Sequence, residues 1–167
     1  MDIQALSGKY AVKKLTGVDV DAVFELCCQN EIFYRFHPPF VTKEDILEDM
    51  KALPPGKQAA DKFYIGFGRD GKLVAVMDLI LDYPGEKIAY IGFFMMDKGL
   101  QGQGIGSDII SDCARCLKRL GYRKIRLAID KGNPQSEAFW KKNGFAAAGE
   151  EIPDPASVYI PMERTLL

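Results

Sequence analysis

A glycine-rich segment, residues 101–106, separates an apolar stretch from an amphipathic one. The apolar stretch, residues 88–96, predicts a central strand that is buried on both faces. Apolar residues then recur at helical spacing over residues 105–120, and the run at residues 124–129 predicts another strand. A strand, helix, strand order implies a right-handed crossover between two parallel strands. The sequence therefore predicts a β-α-β unit built around the glycine-rich segment.

The rest of the chain predicts antiparallel strands and short helices. Asp70-Gly71 between two apolar runs predicts a hairpin, and Thr42 with Asp45 resembles a capping box at the start of a helix. Asn133 followed by Pro134 predicts the start of another helix. The predicted strands are residues 10–14, 63–68, 73–81, 88–96, 124–129, 145–150 and 158–162, the last two as edge strands. The predicted helices are residues 19–29, 43–53, 105–120 and 134–142.

These elements predict a single α+β domain over residues 1–167. The sheet is mixed, with about seven strands, and an antiparallel meander precedes the parallel β-α-β unit. About four helices accompany it. The aromatic segment at residues 32–40 contains two prolines, which favour an irregular conformation. A chain of 167 residues can bury a core without disulfides or metals.

Charge and composition exclude several classes of partner. The 22 Lys and Arg residues nearly balance the 23 Asp and Glu residues, which leaves no basic footprint for nucleic acid or an anionic membrane. No apolar stretch approaches the roughly 20 residues of a membrane span, and the N-terminus does not resemble a signal peptide. We therefore expect a cytoplasmic protein.

The four cysteines fall in two close pairs, Cys27 with Cys28 and Cys113 with Cys116. A redox pair and a four-thiolate zinc site are alternatives, but reduced, packed thiols fit better, because Cys113 falls inside a predicted helix. We expect no metal.

The position of the glycine-rich segment suits an anion. Backbone N–H groups at a helix N-terminus are unpaired, and the helix dipole adds partial positive charge. Ser107 stands where a dinucleotide-binding fingerprint needs its third glycine, and the Gly-Lys-Ser/Thr of a Walker loop is missing. A tight turn without a ligand is the alternative.

Two blocks carry a resemblance to a known family. Gln101-Gly102-Gln103-Gly104-Ile105-Gly106 matches the motif Q/R-x-x-G-x-G/A, and the helix after Asn133, closed by Gly144-Phe145, matches N-x-x-A/S…Y-x-x-x-G-F. The chain resembles the GNAT superfamily of acetyl-CoA-dependent N-acetyltransferases over roughly residues 60–150. The first 60 residues match only in general layout. The resemblance implies a GNAT-like three-layer domain and acetyl-CoA as cosubstrate.

The resemblance also assigns the cofactor site. The coenzyme A pyrophosphate would contact Gln101, Gly102, Gln103, Gly104, Ile105, Gly106 and Ser107. The pantetheine arm would extend the strand at Phe94, Met95 and Met96, next to a bulge at Gly92. Asn133 would lie near that arm, with a helix cap as its alternative role.

The catalytic residues depart from the family pattern. Trp140 replaces the tyrosine that commonly protonates the thiolate, and an indole N–H is not a titratable acid, so Trp140 either stabilises the thiolate or packs the core. The candidate bases are Asp78, alone in an apolar run, and His37, the only histidine. A solvated, edge-facing Asp78 and a structural His37 are the alternatives.

The aromatic segment would cover the acceptor. Phe33, Tyr34 and Phe36 would form a lid or wall of the acceptor pocket, or pack the loop onto the sheet. The implied activity is transfer of acetyl to a primary amine of a small molecule or peptide by direct attack, and a homodimer is compatible with the resemblance. Alternatives are a non-catalytic coenzyme A-binding sensor and a flavin- or nucleotide-binding fold.

Overall fold

The computed structural model describes residues 1–167, which form one mixed sheet of eight strands with helices on both faces. The strands are β1 Ala11–Lys14, β2 Lys62–Arg69, β3 Lys72–Leu81, β4 Ile88–Met96, β5 Lys124–Asp130, β6 Ala146–Ala147, β7 Ile152–Asp154 and β8 Ser157–Thr165. The α-helices are α1 Val20–Cys28, α2 Glu31–Phe36, α3 Lys43–Asp49, α4 Ile105–Arg119 and α5 Pro134–Lys142. Short 3₁₀ helices lie at Ile3–Leu6, Gly17–Asp19, Ala59–Asp61 and Lys98–Leu100.

The sheet order is β1-β2-β3-β4-β5-β8-β6, and β7 pairs with β8. All pairs are antiparallel except β4 with β5, which are joined by the crossover through α4. The predicted β-α-β unit is therefore confirmed.

Alternate residues of β3 face two different apolar layers. Met77 and Leu79 lie in a core cluster with Ile109 and Leu117 of α4. Val76 lies in a second cluster with residues of α1 and α3. This division follows from the two-residue period of a strand, and it gives the domain three layers.

Several local predictions are confirmed. Asp70 and Gly71 both have positive φ, as a tight hairpin turn between β2 and β3 requires. Thr42 and Asp45 form the reciprocal capping box of α3. The central strand β4 has the predicted bounds.

Two predictions are wrong. Residues 31–36 form a helix, α2, because Pro38 and Pro39 lie beyond its last residue and so end the helix without preventing it. The last long strand, β8, is not an edge strand, since it pairs with β5 over seven residues and with β6 on its other side. Charged residues near its C-terminal end interrupt the apolar pattern, so the sequence underestimates its length. The structure has one more helix, α2, and one more strand, β7, than the sequence indicates.

None of the helices combines the length and apolar character that crossing a membrane requires.

Candidate active site

A gap between β4 and β5 creates the main cavity of the molecule. The two parallel strands pair only from Ile88 with Lys124 to Tyr90 with Arg126. Beyond that point both strands line a cavity of about 740 Å³. The backbone edge of β4 after Tyr90 therefore faces an open space and not a neighbouring strand.

A bulge in β4 marks the start of this gap. Asp78 of β3 pairs with Phe93 while Leu79 pairs with Ile91, so that Gly92 has no partner. A Cβ atom at Gly92 would lie 2.9 Å from Asp78 Oδ2. The bulge predicted at Gly92 is confirmed, and a side chain there would collide with a buried carboxylate.

The glycine-rich turn forms one end of the cavity. Gly102 and Gly104 both have positive φ, and an added Cβ would meet no atom within 4 Å at either. Gly104 caps α4 without a side-chain hydrogen bond. Because the first amides of a helix lack intrahelical partners, the start of α4 presents free N–H groups. This end can hold an anion.

The residues predicted for the pyrophosphate divide into two groups. Five of them line the cavity: Gln101, Gly102, Gly104, Gly106 and Ser107. The Ile105 side chain packs in the core, and the Gln103 amide donates to the Gly99 carbonyl, so neither lines it. Phe94, Met95 and Met96 all line the cavity.

Gly106 also has a packing role. A Cβ atom at Gly106 would lie 2.6 Å from Met96 Sδ and 3.0 Å from the Phe139 ring. The third glycine of the segment is therefore required by the contact between α4, β4 and α5.

A polar network fixes the glycine turn. Gln101 Nε2 donates to Asn30 Oδ1 over 2.7 Å, and Gln135 Nε2 donates to Gln101 Oε1 over 3.1 Å. Asn30 Nδ2 in turn donates to the Met96 carbonyl over 3.0 Å. No local sequence pattern marks Asn30, because its partners lie on distant elements.

Asn133 caps α5, as one of its two predicted roles requires. Its Oδ1 accepts from the backbone N–H groups of Gln135 and Ser136 over 3.1 and 3.2 Å. The residue is buried and is not among those that line the cavity.

Trp140 forms an aromatic wall of the cavity. Its ring packs edge-to-face on Phe94, Phe139 and Phe145, with centroids 5.0 to 5.9 Å apart. Trp140 thus lines the cavity and belongs to the core at the same time.

A histidine–aspartate pair also lines the cavity. His37 Nδ1 lies 3.2 Å from both carboxylate oxygens of Asp130. Asp130 is 4% exposed, whereas the His37 side chain is 43% exposed. Asp130, the last residue of β5, was missed from the sequence, although its place at the carboxyl end of a parallel strand is a signal for a site.

Asp78 lies in a buried ion pair. Lys62 Nζ is 2.7 Å from Asp78 Oδ2, and both residues are buried. Burial raises the pKa of Asp78, and the hydrogen bond and charge of Lys62 oppose that rise. Asp78 Oδ1 is buried without a hydrogen-bond partner. The alternative of a solvated, edge-facing Asp78 is wrong, and Lys62 was missed.

Aromatic rings and Asp49 also line the cavity. Of the residues expected around the acceptor, Phe33 and Tyr34 lie in the lining together with Tyr64, whereas Phe36 does not. Burial raises the pKa of both Tyr34 and Tyr64 far above the ordinary phenol value, so both hydroxyls stay protonated. Desolvation also raises the pKa of Asp49, and the Lys62 charge opposes that rise.

The charged side chains of the lining are mostly acidic. Four aspartates line the cavity: Asp45, Asp49, Asp78 and Asp130. Lys142 of α5 is the only lysine or arginine in the lining. The free amides at the glycine turn therefore suit an anion, and the surplus of carboxylates in the lining suits a cation.

All four cysteines are free thiols. Cys113 and Cys116 are buried in α4, and burial raises the pKa of Cys113, which disfavours a reactive thiolate there. No group of three or more His, Cys, Asp or Glu side chains is arranged to hold a metal ion.

Comparison with known proteins supplies the family. Residues 24–145 match the model of the acetyltransferase (GNAT) family. Comparison with curated proteins gives no match.

Solved structures share the fold. An acetyltransferase from Thermus thermophilus has a TM-score of 0.74 and 19% identity, with 94% of this chain and 97% of that chain covered. PaiA N-acetyltransferase from Thermoplasma acidophilum, solved with coenzyme A, has a TM-score of 0.68 and 18% identity, covering 93% and 98%. A spermidine N-acetyltransferase chimera from Vibrio cholerae and hSSAT has a TM-score of 0.68 and 16% identity, covering 95% and 96%.

Proposed function

The chain belongs to the GNAT family of acetyltransferases, and from this premise we propose that it transfers acetyl from acetyl-CoA to a primary amine of a small molecule or peptide. The observation that carries the proposal is the cavity between β4 and β5. It combines an unpaired strand edge and a free helix N-terminus with carboxylates and aromatic rings. A phosphate-bearing thioester and a cationic amine match these two kinds of lining.

The cofactor would be held mainly by backbone groups. The free amides at the start of α4 would bind the pyrophosphate, and Ser107 would add its hydroxyl. In an antiparallel pair, alternate residues direct their N–H and C=O groups to opposite sides. The Asp97 N–H donates to Val74 on β3, so the backbone groups of Phe94 and Met96 face the gap. The Met96 carbonyl is already bonded to Asn30, which leaves the Phe94 groups as the principal partners of the pantetheine arm.

Acetyl-CoA supplies an activated acetyl thioester, which a neutral amine can attack directly. An amine is protonated in neutral water, so a base must first remove a proton. A carboxylate can only accept hydrogen bonds, so a neutral His37 that donates Nδ1–H to Asp130 carries its lone pair on Nε2. His37 is therefore our first candidate base, held in this tautomer by Asp130.

Asp78 is the second candidate base. Its Oδ1 is free, but its Oδ2 is bound to Lys62, whose positive charge lowers the affinity of the carboxylate for a proton. Trp140 is not an acid. A thiol with an ordinary pKa of about 8.5 leaves readily as the thiolate, so the aromatic wall needs only to position the sulfur.

Two measurements separate this proposal from the coenzyme A sensor. Calorimetry with acetyl-CoA measures binding, and a thiol-reactive dye measures free coenzyme A after amino acids, polyamines, aminoglycosides or peptides are added. Binding with amine-dependent thiol release supports the enzyme. Tight binding without release on any amine would support the sensor.

A homodimer and a cytoplasmic location stay predictions, which sedimentation and cell fractionation would test.

A further inference from the structure

Among the four aspartates of the cavity, Asp49 alone has no partner. Thr42 donates to Asp45, Lys62 pairs with Asp78, and His37 pairs with Asp130. Asp49 lines the same cavity from the end of α3, where it is exposed to solvent, and its side chain makes no hydrogen bond or ion pair within the protein. A carboxylate left free in a cavity is available to a ligand.

A second observation points to the same place. Asp78 is 8% exposed and lines the cavity, yet its Oδ1 has no partner. Asp49, Asp78 and Tyr64 all line this cavity, and the negative charge of Asp49 adds to burial in raising the pKa of both Asp78 and Tyr64. An unsatisfied buried carboxylate oxygen costs free energy unless a donor reaches it. A ligand with several N–H groups would supply one.

The reacting nitrogen of the acceptor cannot be the cation that Asp49 and Asp78 would bind. Acetylation needs a neutral amine and yields a neutral amide, whereas a carboxylate beside that nitrogen favours the charged, unreactive form. His37 and Asp130 already provide a place for the reacting amine. Asp49 therefore suits a positive charge that persists throughout the reaction.

The cavity also disfavours an acceptor that carries a carboxylate. Lys142 is the only lysine or arginine in the lining, against four aspartates, and the Lys62 charge is paired with Asp78. Phe33, Tyr34 and Tyr64 provide apolar and cation–π surface that suits methylene groups and an ammonium.

We infer that the acceptor is a small aliphatic diamine or polyamine, one amine of which reacts near His37 while a second, still cationic, binds Asp49 and donates to Asp78. This inference rests on the proposed function and narrows its substrate class to cations without a carboxylate.

Three acceptors of matched length test it: butane-1,4-diamine, butylamine and 4-aminobutyrate. They differ only in whether the far end is cationic, apolar or anionic. We expect kcat/KM for the diamine to exceed that for butylamine by about tenfold or more, the effect of one well-formed ionic contact, and 4-aminobutyrate to be the poorest. Propane-1,3-diamine and pentane-1,5-diamine extend the series to other spacings.

Asp49→Asn should reduce the preference for the best diamine over butylamine to about one. Glu48→Gln is the matched control, because Glu48 is the exposed neighbour on α3 and does not line the cavity. It should keep the preference, and thermal unfolding verifies that both variants are folded.

The possible failures are distinguishable. Two results would overturn this inference and leave the proposed acetyltransferase activity standing. One is that butylamine or 4-aminobutyrate is turned over as well as every diamine. The other is that the preference for the diamine survives Asp49→Asn. Absence of thiol release with every amine would contradict the proposed function as well.

Discussion

At the scale of single residues, the proposed acceptor site contains two pairs of charged or titratable side chains that join different parts of the chain. His37 and Asp130 are 93 residues apart in sequence, and Lys62 and Asp78 are 16 apart. The first pair is partly exposed and the second is buried. We therefore expect the first to act in the chemistry and the second to act mainly in stability.

His37→Gln should lower kcat/KM on the true acceptor by on the order of 10² to 10⁴, the usual contribution of a general base. Affinity for acetyl-CoA should hardly change. The acidic limb of the pH–rate profile should flatten, because the proposed base is removed. Asp130→Asn should give a smaller loss, since it allows the wrong tautomer.

The buried pair is tested by a double-mutant cycle. Asp78→Asn leaves the Lys62 ammonium buried without its partner and should cost about 3 kcal/mol of unfolding free energy. Lys62→Met combined with Asp78→Asn should cost less than the sum of the single changes. Chemical denaturation measures all four proteins.

The same double variant decides between the two candidate bases. If it is folded and transfers acetyl at a near-normal rate, Asp78 is structural. The opposite result would combine two findings. The double variant would lose a factor of about 10² or more in kcat/KM, the scale of a general base, and His37→Gln would keep the acidic limb of its pH–rate profile. Together these would move the role of base from His37 to Asp78.

At the scale of elements, α3 and α4 each begin with a different kind of cap. α3 begins with the reciprocal side-chain bonds of Thr42 and Asp45, which leave few free amides. α4 begins at Gly104, in the left-handed region and without a side-chain cap. The first arrangement stabilises a helix, and the second leaves its amides available to a ligand.

Thr42→Ala should lower the unfolding free energy by about 1 kcal/mol at neutral pH. The Thr42 hydroxyl and backbone N–H donate to Asp45 and hold its pKa below the ordinary value. Because the folded pKa is lowered, this stabilisation is present above the unfolded pKa of about 3.9 and is lost as the pH falls through the folded pKa. The difference between wild type and variant should therefore narrow between about pH 7 and about pH 2. A constant difference would show that Asp45 is not involved.

Gly104→Glu should abolish acetyl-CoA binding in a folded protein, because the added carboxylate repels the pyrophosphate at the start of α4. Gly104→Ala is the matched control, since it carries the same backbone strain at φ 83° without the charge. Calorimetry should show that the alanine variant retains much more affinity. Equal affinity in the glutamate and wild-type proteins would place the phosphates elsewhere.

At the scale of the whole molecule, local sequence patterns predict most of the strands and helices. They do not predict the residue pairs that join distant parts of the chain. The strand β4, the glycine turn and the cap at Asn133 follow from patterns within a few residues of one another. Asn30, Lys62 and Asp130 were missed because their roles exist only once other strands and helices surround them. The helix α2 was missed because two prolines just after it dominated the local pattern.

The proposed function requires that the gap between β4 and β5 hold the coenzyme. A crystal structure of the chain with coenzyme A would test this. We expect the pyrophosphate on the amides at residues 102–107, the pantetheine arm bonded to the Phe94 backbone, and the sulfur directed toward His37. Coenzyme A bound outside the gap, or a β4 edge closed against β5 in the complex, would contradict it.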